Sequence, residues 1–394
     1  MILHNEHLAA LIVVGALSAA CGSGAADGAG ADGQQPGDAC SPTGDVPCIA
    51  GLAEPCKDIH SGYDGDEFCR AAPDPSQGYQ IHVGPTDYSD PSDVAKYLAA
   101  PGVETNWAEV VPTPNDATVF WDGYWSYMRP GSHHFILFGM PAGSAPPAQM
   151  GPTSMNGGGA ESAVGAAGGE FLAGATVPVQ DAMPHDPADM GSVSEMPPHA
   201  NYAVNLHFIN LQDHPLIQEI WVNFHVIPET DVQHWHKAIT WYGGLGMNVP
   251  PSTSYQLTTG GATCAPPANA ANMRVQGVTG HVHANTLEYS ASMERDGATT
   301  LLFQDFDWHE PAEFRYNAHT DNGAPDPTTK SRGGYSGELQ VQPTDRFSWE
   351  CTGFNKSNVN LTFSNKVYDG EMCNVFGFYQ TDTKEAGPWS CVFF

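Results

Sequence analysis

The sequence predicts an all-β protein built from two antiparallel β-sandwiches. Short segments rich in aromatic and β-branched residues recur from GYQIHVG near residue 78 to EMCNVFGFY near residue 371, and such segments favour strands. Turn-forming residues separate them, since the 394 residues include 43 glycines and 32 prolines. The segments fall into two blocks, and short strands at regular spacing in two blocks indicate two sandwiches. No long amphipathic helix stands out.

The first 75 residues lead into this fold. Residues 7–20, HLAALIVVGALSAA, are an apolar run of the length of an export signal, too short to span a bilayer. Cys21 follows small residues, as at a bacterial lipoprotein cleavage site, although MILHNE lacks Lys and Arg and Ser18 stands where Leu is usual. We expect a signal peptide over residues 1–21, lipid attachment at Cys21, and an exported protein that is anchored at the cell envelope or secreted.

Cysteine usage agrees with export. Nine cysteines less Cys21 leave eight, and an even number in an exported chain predicts disulfides. Residues 22–75 form a small-residue tether followed by a Cys-rich segment, either a small stapled knot or a clip onto the next domain. That segment contains Cys40, Cys48, Cys56 and Cys69. The sequence does not choose among the possible pairings of these four.

The predicted sandwiches cover residues 76–232 and 233–394. The first block has strand signals at GYQIHVG, ATVFWDGYWSYM, HHFILFGM, ANYAVNLHFIN and EIWVNFHVI, with a Gly/Ala/Pro-rich loop over residues 141–170. The second has them at KAITWYG, MRVQGVTGHVHANTLEYSASM, TTLLFQDFDW, RFSWECTGF, NVNLTFS and EMCNVFGFY. No convincing internal repeat relates the blocks.

The net charge restricts the partners. A charge of −30, from 44 acidic residues against 14 Lys and Arg, repels nucleic acid and favours solubility. It provides no argument for an acidic substrate. We therefore expect no nucleic-acid partner, contact with a membrane only through a lipid on Cys21, and a monomer.

Three histidines of the first block are candidate metal ligands. His133 and His134 open HHFILFG after Pro130 and Gly131, where a strand that starts or bends lets adjacent side chains converge. The alternative is a polar start of a strand. His207 lies between apolar residues in YAVNLHFIN. A buried imidazole there needs a partner, so it is either a core histidine or a ligand.

The second block contains a second candidate set. His281 and His283 in GHVHANTLEY share one face of a predicted strand, and they form either a metal site or a wet sheet face. The pattern alone proves little, because HWH at 234–236 repeats it at the junction of the blocks, where we interpret it as surface or linker. Met372 in DGEMCNVFGFY is core filler in most such contexts. Taken together, imidazoles with a thioether form a soft donor set suited to copper.

Four motifs, in this order, resemble those of the copper type II ascorbate-dependent monooxygenases, the family of peptidylglycine α-hydroxylating and dopamine β-monooxygenases. HHFILFG resembles the family's HHMLLFG-type motif, NLHF its later single histidine, GHVHA its His-x-His and GEMCN its EMCN motif, over roughly residues 76–394. The resemblance implies two tandem, antiparallel, jelly-roll-like β-sandwich domains. It also implies one copper on each domain, two per chain, and a solvent cleft between the domains.

The resemblance implies ligand roles and a reaction. The first-block trio would hold an electron-transfer copper, and His281, His283 and Met372 would hold the catalytic copper that binds O₂. One oxygen atom would enter a C–H bond of a small organic substrate, with electrons from a reductant such as ascorbate. One alternative is an exported copper-binding lipoprotein without turnover. Another is a jelly-roll surface or carbohydrate-binding module with incidental histidines.

Cysteine positions also match the family in part. The resemblance implies the disulfides Cys351–Cys373 and Cys264–Cys391 in the second domain. The family cysteines of the first domain are missing, and Met140 stands where one of them is expected. The Cys-rich segment before residue 76 would replace that stapling.

The substrate positions depart from the family. Thr279 and Phe376 stand where the peptide enzyme has an Arg and a Tyr that grip the peptide carboxylate, Asn374 is retained, and Asn205 replaces a Gln. An uncharged Thr cannot make the bidentate contact of Arg, so a C-terminal glycine carboxylate is not the expected substrate. The aromatic residues Phe376, Phe378 and Trp308 suggest an apolar or aromatic substrate instead.

Overall fold

The structure, a computed structural model, describes residues 50–57, 59–140, 153–154, 169–184, 188–261, 263–318, 325–326, 328 and 330–394. The predictions for the signal peptide, for Cys21 and the tether, for Cys40 and Cys48, and for most of the loop over 141–170 lie outside these residues. Among the residues described, no helix is both long enough and apolar enough to cross a membrane.

The fold is almost wholly β, which confirms the predicted class. The first half contains β1 (Gly78–Val83), β2 (Leu98–Ala99), β3 (Glu104–Pro112), β4 (Val119–Met128), β5 (Ser132–Gly139), β6 (Thr153–Ser154), β7 (Glu170–Ala175), β8 (Val179–Asp181), β9 (Ser192–Met196), β10 (Asn201–Ile209), β11 (Leu216–Ile217) and β12 (Ile220–Ile227). The second half contains β13 (His234–Gly243), β14 (Ser254–Gly261), β15 (Arg274–Val282), β16 (Thr286–Arg295), β17 (Ala298–Asp305), β18 (Glu313–Arg315), β19 (Arg332–Gly333), β20 (Leu339–Gln340), β21 (Arg346–Phe354), β22 (Cys373–Thr381) and β23 (Trp389–Val392). The helical elements of the described chain are α1 (Pro91–Val94) and the 3₁₀ turns Ala50–Leu52, Asp66–Phe68 and Glu229–Asp231.

One large sheet runs through both halves. Its strand order is β1-β12-β4-β9-β13-β22-β15-β18, with β8, β20 and β23 paired to its members. A five-stranded sheet, β6-β3-β10-β5-β7, belongs to the first half, and another, β14-β21-β16-β17-β19, to the second. The halves meet where β9 pairs in parallel with β13, with His234 opposite Ser192 and Trp235 opposite Val193.

Each half has its own hydrophobic core between the large sheet and a five-stranded sheet. The first core packs β4 and β12 against β5 and β10 and includes Trp121 and Phe135. The second packs β13 and β22 against β17 and β21 and includes Trp241 and Trp349. In β21 buried residues alternate with partly buried ones, as expected for a strand with one face on a core. The large sheet contains strands from both sides of residues 232 and 233. The domain boundary expected there stays a prediction.

A third apolar cluster joins the halves directly. It packs residues of β5, β7 and β10 against β13 and β22, and its buried members are Ile136, Phe138, Phe171, Ala203, Ala238 and Phe376. This contact explains why β5 and β10 are buried along nearly their whole length. Strand pairing and apolar packing thus bring the halves into direct contact, and the solvent cleft that the resemblance implied stays a prediction.

Three disulfides staple the described chain. Cys264–Cys391 and Cys351–Cys373 are the two pairs that the resemblance implied. Cys56–Cys69 answers part of the question left open for the Cys-rich segment. The part of that segment around Cys56 and Cys69 packs onto Tyr127 and Trp221 of the large sheet, as a clip onto the first half would.

Candidate metal centre and adjoining cavity

The histidine trio of the first half converges at a β-bulge. His207 of β10 lies opposite His134 of β5, whereas the next residue, Phe208, lies opposite Ser132. His133 is thus the extra residue of the bulge, which lets two adjacent side chains turn to one side. One nitrogen from each of the three imidazoles lies within 4.8 Å of the others, and all three residues are buried.

Gly131 makes this strand start possible. Its φ is +93°, which favours glycine. A Cβ there would lie 2.5 Å from the ring of Phe208. The bend that the sequence suggested after Pro130 and Gly131 is therefore present, and its cause is a left-handed glycine followed by a bulge.

The second candidate set lies at the end of β15 and the start of β22. His281 is opposite Asn374 and Val282 is opposite Cys373, so His283 comes level with Met372, the residue before β22. Both histidines and Met372 are buried. The ring centroids of His281 and His283 are 5.5 Å apart.

The two candidate sets form one buried cluster of five histidines across the two halves. The ring centroids of His134 and His281 are only 4.8 Å apart. His283 lies 6.3 Å from both His133 and His207, centroid to centroid. The resemblance implied two centres on either side of a cleft, whereas the shared sheet and the apolar cluster bring both sets together.

The five histidines are suited to binding metal. Each has at least one buried ring nitrogen without a hydrogen-bond partner, an unfavourable state for a polar atom away from water. Burial, with a smaller effect from neighbouring histidines, lowers the pKa of His133, His134 and His283 well below the usual value. Burial likewise lowers the pKa of His281 to about 3. These four rings are therefore neutral, the form that binds metal ions.

Glu104 of β3 orients His207 and was not found from the sequence. Its Oε1 atom accepts a hydrogen bond from His207 Nε2 at 2.9 Å and another from the Val367 backbone N–H at 2.8 Å. Burial opposes ionisation of this carboxyl, but the hydrogen bonds from His207 and Val367 outweigh it and lower the pKa of Glu104. With Nε2 donating to Glu104, the Nδ1 atom of His207 is left for the cluster.

Glu371 supports the second set and was also missed. Its Oε1 atom accepts the backbone N–H of His283 at 2.7 Å and that of Met372 at 3.0 Å. Its Oε2 atom accepts from the Tyr255 hydroxyl at 2.8 Å. Burial raises the pKa of Glu371 to about 7. The only sequence signal was an acidic residue directly before Met372.

A cavity of about 130 Å³ lies between the halves beside His134 and His281. Of the residues proposed for substrate binding, Thr279, Phe376 and Phe378 line it. Thr279 donates its hydroxyl hydrogen to the Ala312 carbonyl at 3.0 Å, so that hydroxyl is already engaged. Thr279, which the resemblance aligns with an Arg of the peptide enzyme, thus forms part of the cavity wall.

Three other predicted residues lie away from this cavity. The Asn205 amide nitrogen donates to Asn106 Oδ1 at 2.6 Å and to the Trp107 carbonyl at 3.0 Å. Its Oδ1 atom is buried without a hydrogen-bond partner, and Asn205 is not among the residues that line the cavity, so its role in substrate binding stays a prediction. Asn374 is buried beside His281 and is not part of the cavity wall. Trp308 contacts the cluster from another side, with its ring 6.0 Å from that of His133.

The interpretation of HWH at 234–236 as surface or linker is wrong for His236. β13 joins the shared sheet instead of following a linker, and its His236 side chain lines the cavity. The ring of His236 lies 4.3 Å from that of Phe378, and both its ring nitrogens are buried without a hydrogen-bond partner. Burial lowers its pKa to about 3. His234 stays partly exposed and contacts Asp382 Oδ1 at 2.8 Å.

Comparisons with known proteins do not identify a family. No family model and no curated protein matches the chain. The major capsid protein of Bacteriophage PM2 is similar at 8% identity and a TM-score of 0.29, over 78% of this chain and 99% of that chain. BuGH86wt in complex with neoagarooctaose is similar at 8% identity and a TM-score of 0.15, over 71% of this chain and 33% of that chain. TM-scores this low support no argument about fold or function.

Proposed function

We propose that the protein is an exported copper-dependent monooxygenase of the copper type II ascorbate-dependent kind. It would hydroxylate a C–H bond of a small organic substrate with O₂ and a reductant such as ascorbate. The observation that carries the proposal is the buried cluster of five histidines. Each of them has at least one ring nitrogen without a hydrogen-bond partner in the protein. The order of the four motifs supports the same conclusion.

The donor set favours copper over zinc. His133, His134 and His207 would hold one ion, and the other histidine pair with Met372 would hold the second. Zinc sites more often recruit thiolate or carboxylate ligands, and the cysteines in the described part of the chain are all in disulfides. Bound copper would supply O₂ binding and one-electron transfer.

The protein's own residues would position the ligands and exclude water. Glu104 holds the His207 ring in one tautomer, and Glu371 fixes the backbone at His283 and Met372. The cavity would place a substrate C–H bond beside His134 and His281. One oxygen atom of O₂ would enter that bond and the other would leave as water. The reductant would supply the two electrons and two protons that this reaction consumes.

The disulfides agree with an oxidising compartment, and lipid attachment at Cys21 would anchor the protein at the cell envelope. We propose that the protein is a monomer and that it does not bind nucleic acid. An alternative without turnover, an exported copper-binding lipoprotein, would use the same six ligands.

Copper stoichiometry combined with O₂ consumption tests the proposal. We expect two coppers per chain in the purified protein and about one after Met372→Ala, since the thioether belongs to one of the two sets. His234→Ala is the matched control, because that histidine is partly exposed and outside the cluster, and it should retain both coppers. Less than one copper per wild-type chain would contradict the proposal. Two coppers without ascorbate-dependent O₂ consumption on any C–H substrate would leave the binding protein as the function.

A further inference from the structure

We propose that the cavity beside His134 and His281 selects an uncharged aromatic substrate that carries a hydroxyl group. Its phenylalanine wall would contact the ring, and His236 and Gln276 would bind the hydroxyl. This inference rests on the proposed function, because it names the substrate class of that site. The preference itself can be measured without turnover.

Phenylalanine rings form one wall of the cavity. Phe171 stacks on Phe376 with 5.4 Å between ring centroids and on Phe378 with 5.3 Å. All three side chains line the cavity, along with Ile136 and Val278. Aromatic faces and edges attract a further ring in offset or edge-to-face geometry, so a planar aromatic group fits this wall better than a flexible peptide does.

Two side chains that line the cavity have polar atoms without a hydrogen-bond partner. Both ring nitrogens of His236 and the Oε1 atom of Gln276 are buried without a hydrogen-bond partner, and both side chains line the cavity. The Gln276 Nε2 atom is already used, since it donates to Asp189 Oδ1 at 3.2 Å. A neutral imidazole offers one donor and one acceptor, and Gln276 adds an acceptor. A hydroxyl group, which both donates and accepts, complements this pair.

The charged side chains among the described lining residues are already engaged. Asp122 Oδ1 lies 2.6 Å from His225 Nδ1. Glu313 contacts Arg315 at 3.3 Å, and Asp189 forms an ion pair with Arg274. The described wall thus has no spare charge for an ammonium or carboxylate group. Burying such a group without a counter-charge is costly.

Equilibrium binding of three matched probes tests the inference. The probes are 2-phenylethanol, 2-phenylethylamine and phenylacetate, which share a ring and differ in the charge of the side chain. Calorimetric titration of the full-chain protein at neutral pH, without reductant, should show a dissociation constant for the alcohol at least about tenfold below that of either ion. Equal or tighter binding of the amine or the carboxylate, or no binding of the alcohol, would overturn it.

Two variants and a control locate the interaction. His236→Phe keeps an aromatic ring and should weaken binding of 2-phenylethanol about tenfold, as should Gln276→Met, which keeps the length of the side chain. His234→Phe, two residues away on β13 and partly exposed, should bind as the wild type does. Unchanged binding in the two cavity variants would overturn the assignment. A preference for the alcohol without O₂ consumption would support this inference and contradict the proposed catalytic function. Turnover of an amine or a carboxylate would support the catalytic function and contradict this inference.

Discussion

A single carboxylate links the two halves of the protein at the histidine cluster. Glu104 belongs to β3, yet its Oε1 atom accepts from His207 on β10 and from the backbone of Val367, 263 residues further along the chain. Partners that fix the second nitrogen of a ligating histidine set its tautomer and raise its basicity. Glu104 is therefore a positioning residue for the proposed metal site.

Replacing Glu104 should weaken metal binding at the first-half trio. Glu104→Gln removes the charge but keeps the size, and we expect a loss of copper affinity of about tenfold, with a larger loss for Glu104→Ala. Competition with a chelator of known affinity measures the change. Glu109→Gln is the control on the same strand, because Glu109 accepts from the Tyr97 hydroxyl at 3.2 Å and contacts no proposed ligand. If both glutamine variants bound copper equally well, the role assigned to Glu104 would be wrong.

The bulge between β5 and β10 is the element that brings adjacent histidines into one candidate metal site. On a regular strand His133 and His134 would point to opposite faces. The extra residue in β5 and the left-handed Gly131 before it turn both side chains toward His207. The ligand geometry therefore depends on the backbone of a short strand start.

A methyl group at Gly131 should disturb this element. Gly131→Ala places a Cβ 2.5 Å from Phe208 and forces a left-handed φ on alanine, so we expect a loss of stability of about 2–4 kcal/mol together with lower copper occupancy. Gly102→Ala is the control, since Gly102 also has a positive φ, +71°, but has open space around its Cβ position. It should lose only about 1 kcal/mol and keep its copper. Urea unfolding and metal analysis of both variants measure the difference, and equal copper loss in both would contradict the bulge argument.

At the scale of the whole molecule, the two halves share one sheet in the described part of the chain. β9 and β13 are hydrogen-bonded across the junction, and Ala238 and Phe376 of the second half pack into the cluster formed with β5, β7 and β10. Both candidate ligand sets and the cavity lie beside this contact. The site is thus a product of how the halves associate.

We expect a single cooperative thermal transition for the wild-type protein, because separating the halves would expose the apolar cluster and break a sheet. Ala238→Asp buries a charge in that cluster and should lower stability by about 3 kcal/mol and split the transition in two. Ala298→Asp, on an exposed position of β17, should keep one transition. Differential scanning calorimetry distinguishes these outcomes, and two transitions in the wild-type protein would contradict the single unit.

The sequence by itself determined the fold class and the candidate ligands. Aromatic and β-branched segments with a period of two predict strands wherever the local pattern is read, and the described chain is almost wholly β. The four motifs selected the five histidines that the structure brings together, and the resemblance implied the disulfides Cys264–Cys391 and Cys351–Cys373. These features are local, or they follow a pattern that a sequence displays directly.

Only the tertiary structure decided how the site is assembled. Glu104, Glu371 and His236 gave weak or misleading signals, because each acts through residues remote in sequence. A surface or linker interpretation of HWH failed for His236 because β13 enters a sheet whose neighbour, β9, lies in the other half. The joining of two ligand sets into one cluster has the same cause. Pairing between strands of different halves depends on non-local contacts, and no periodicity within a strand specifies its neighbour.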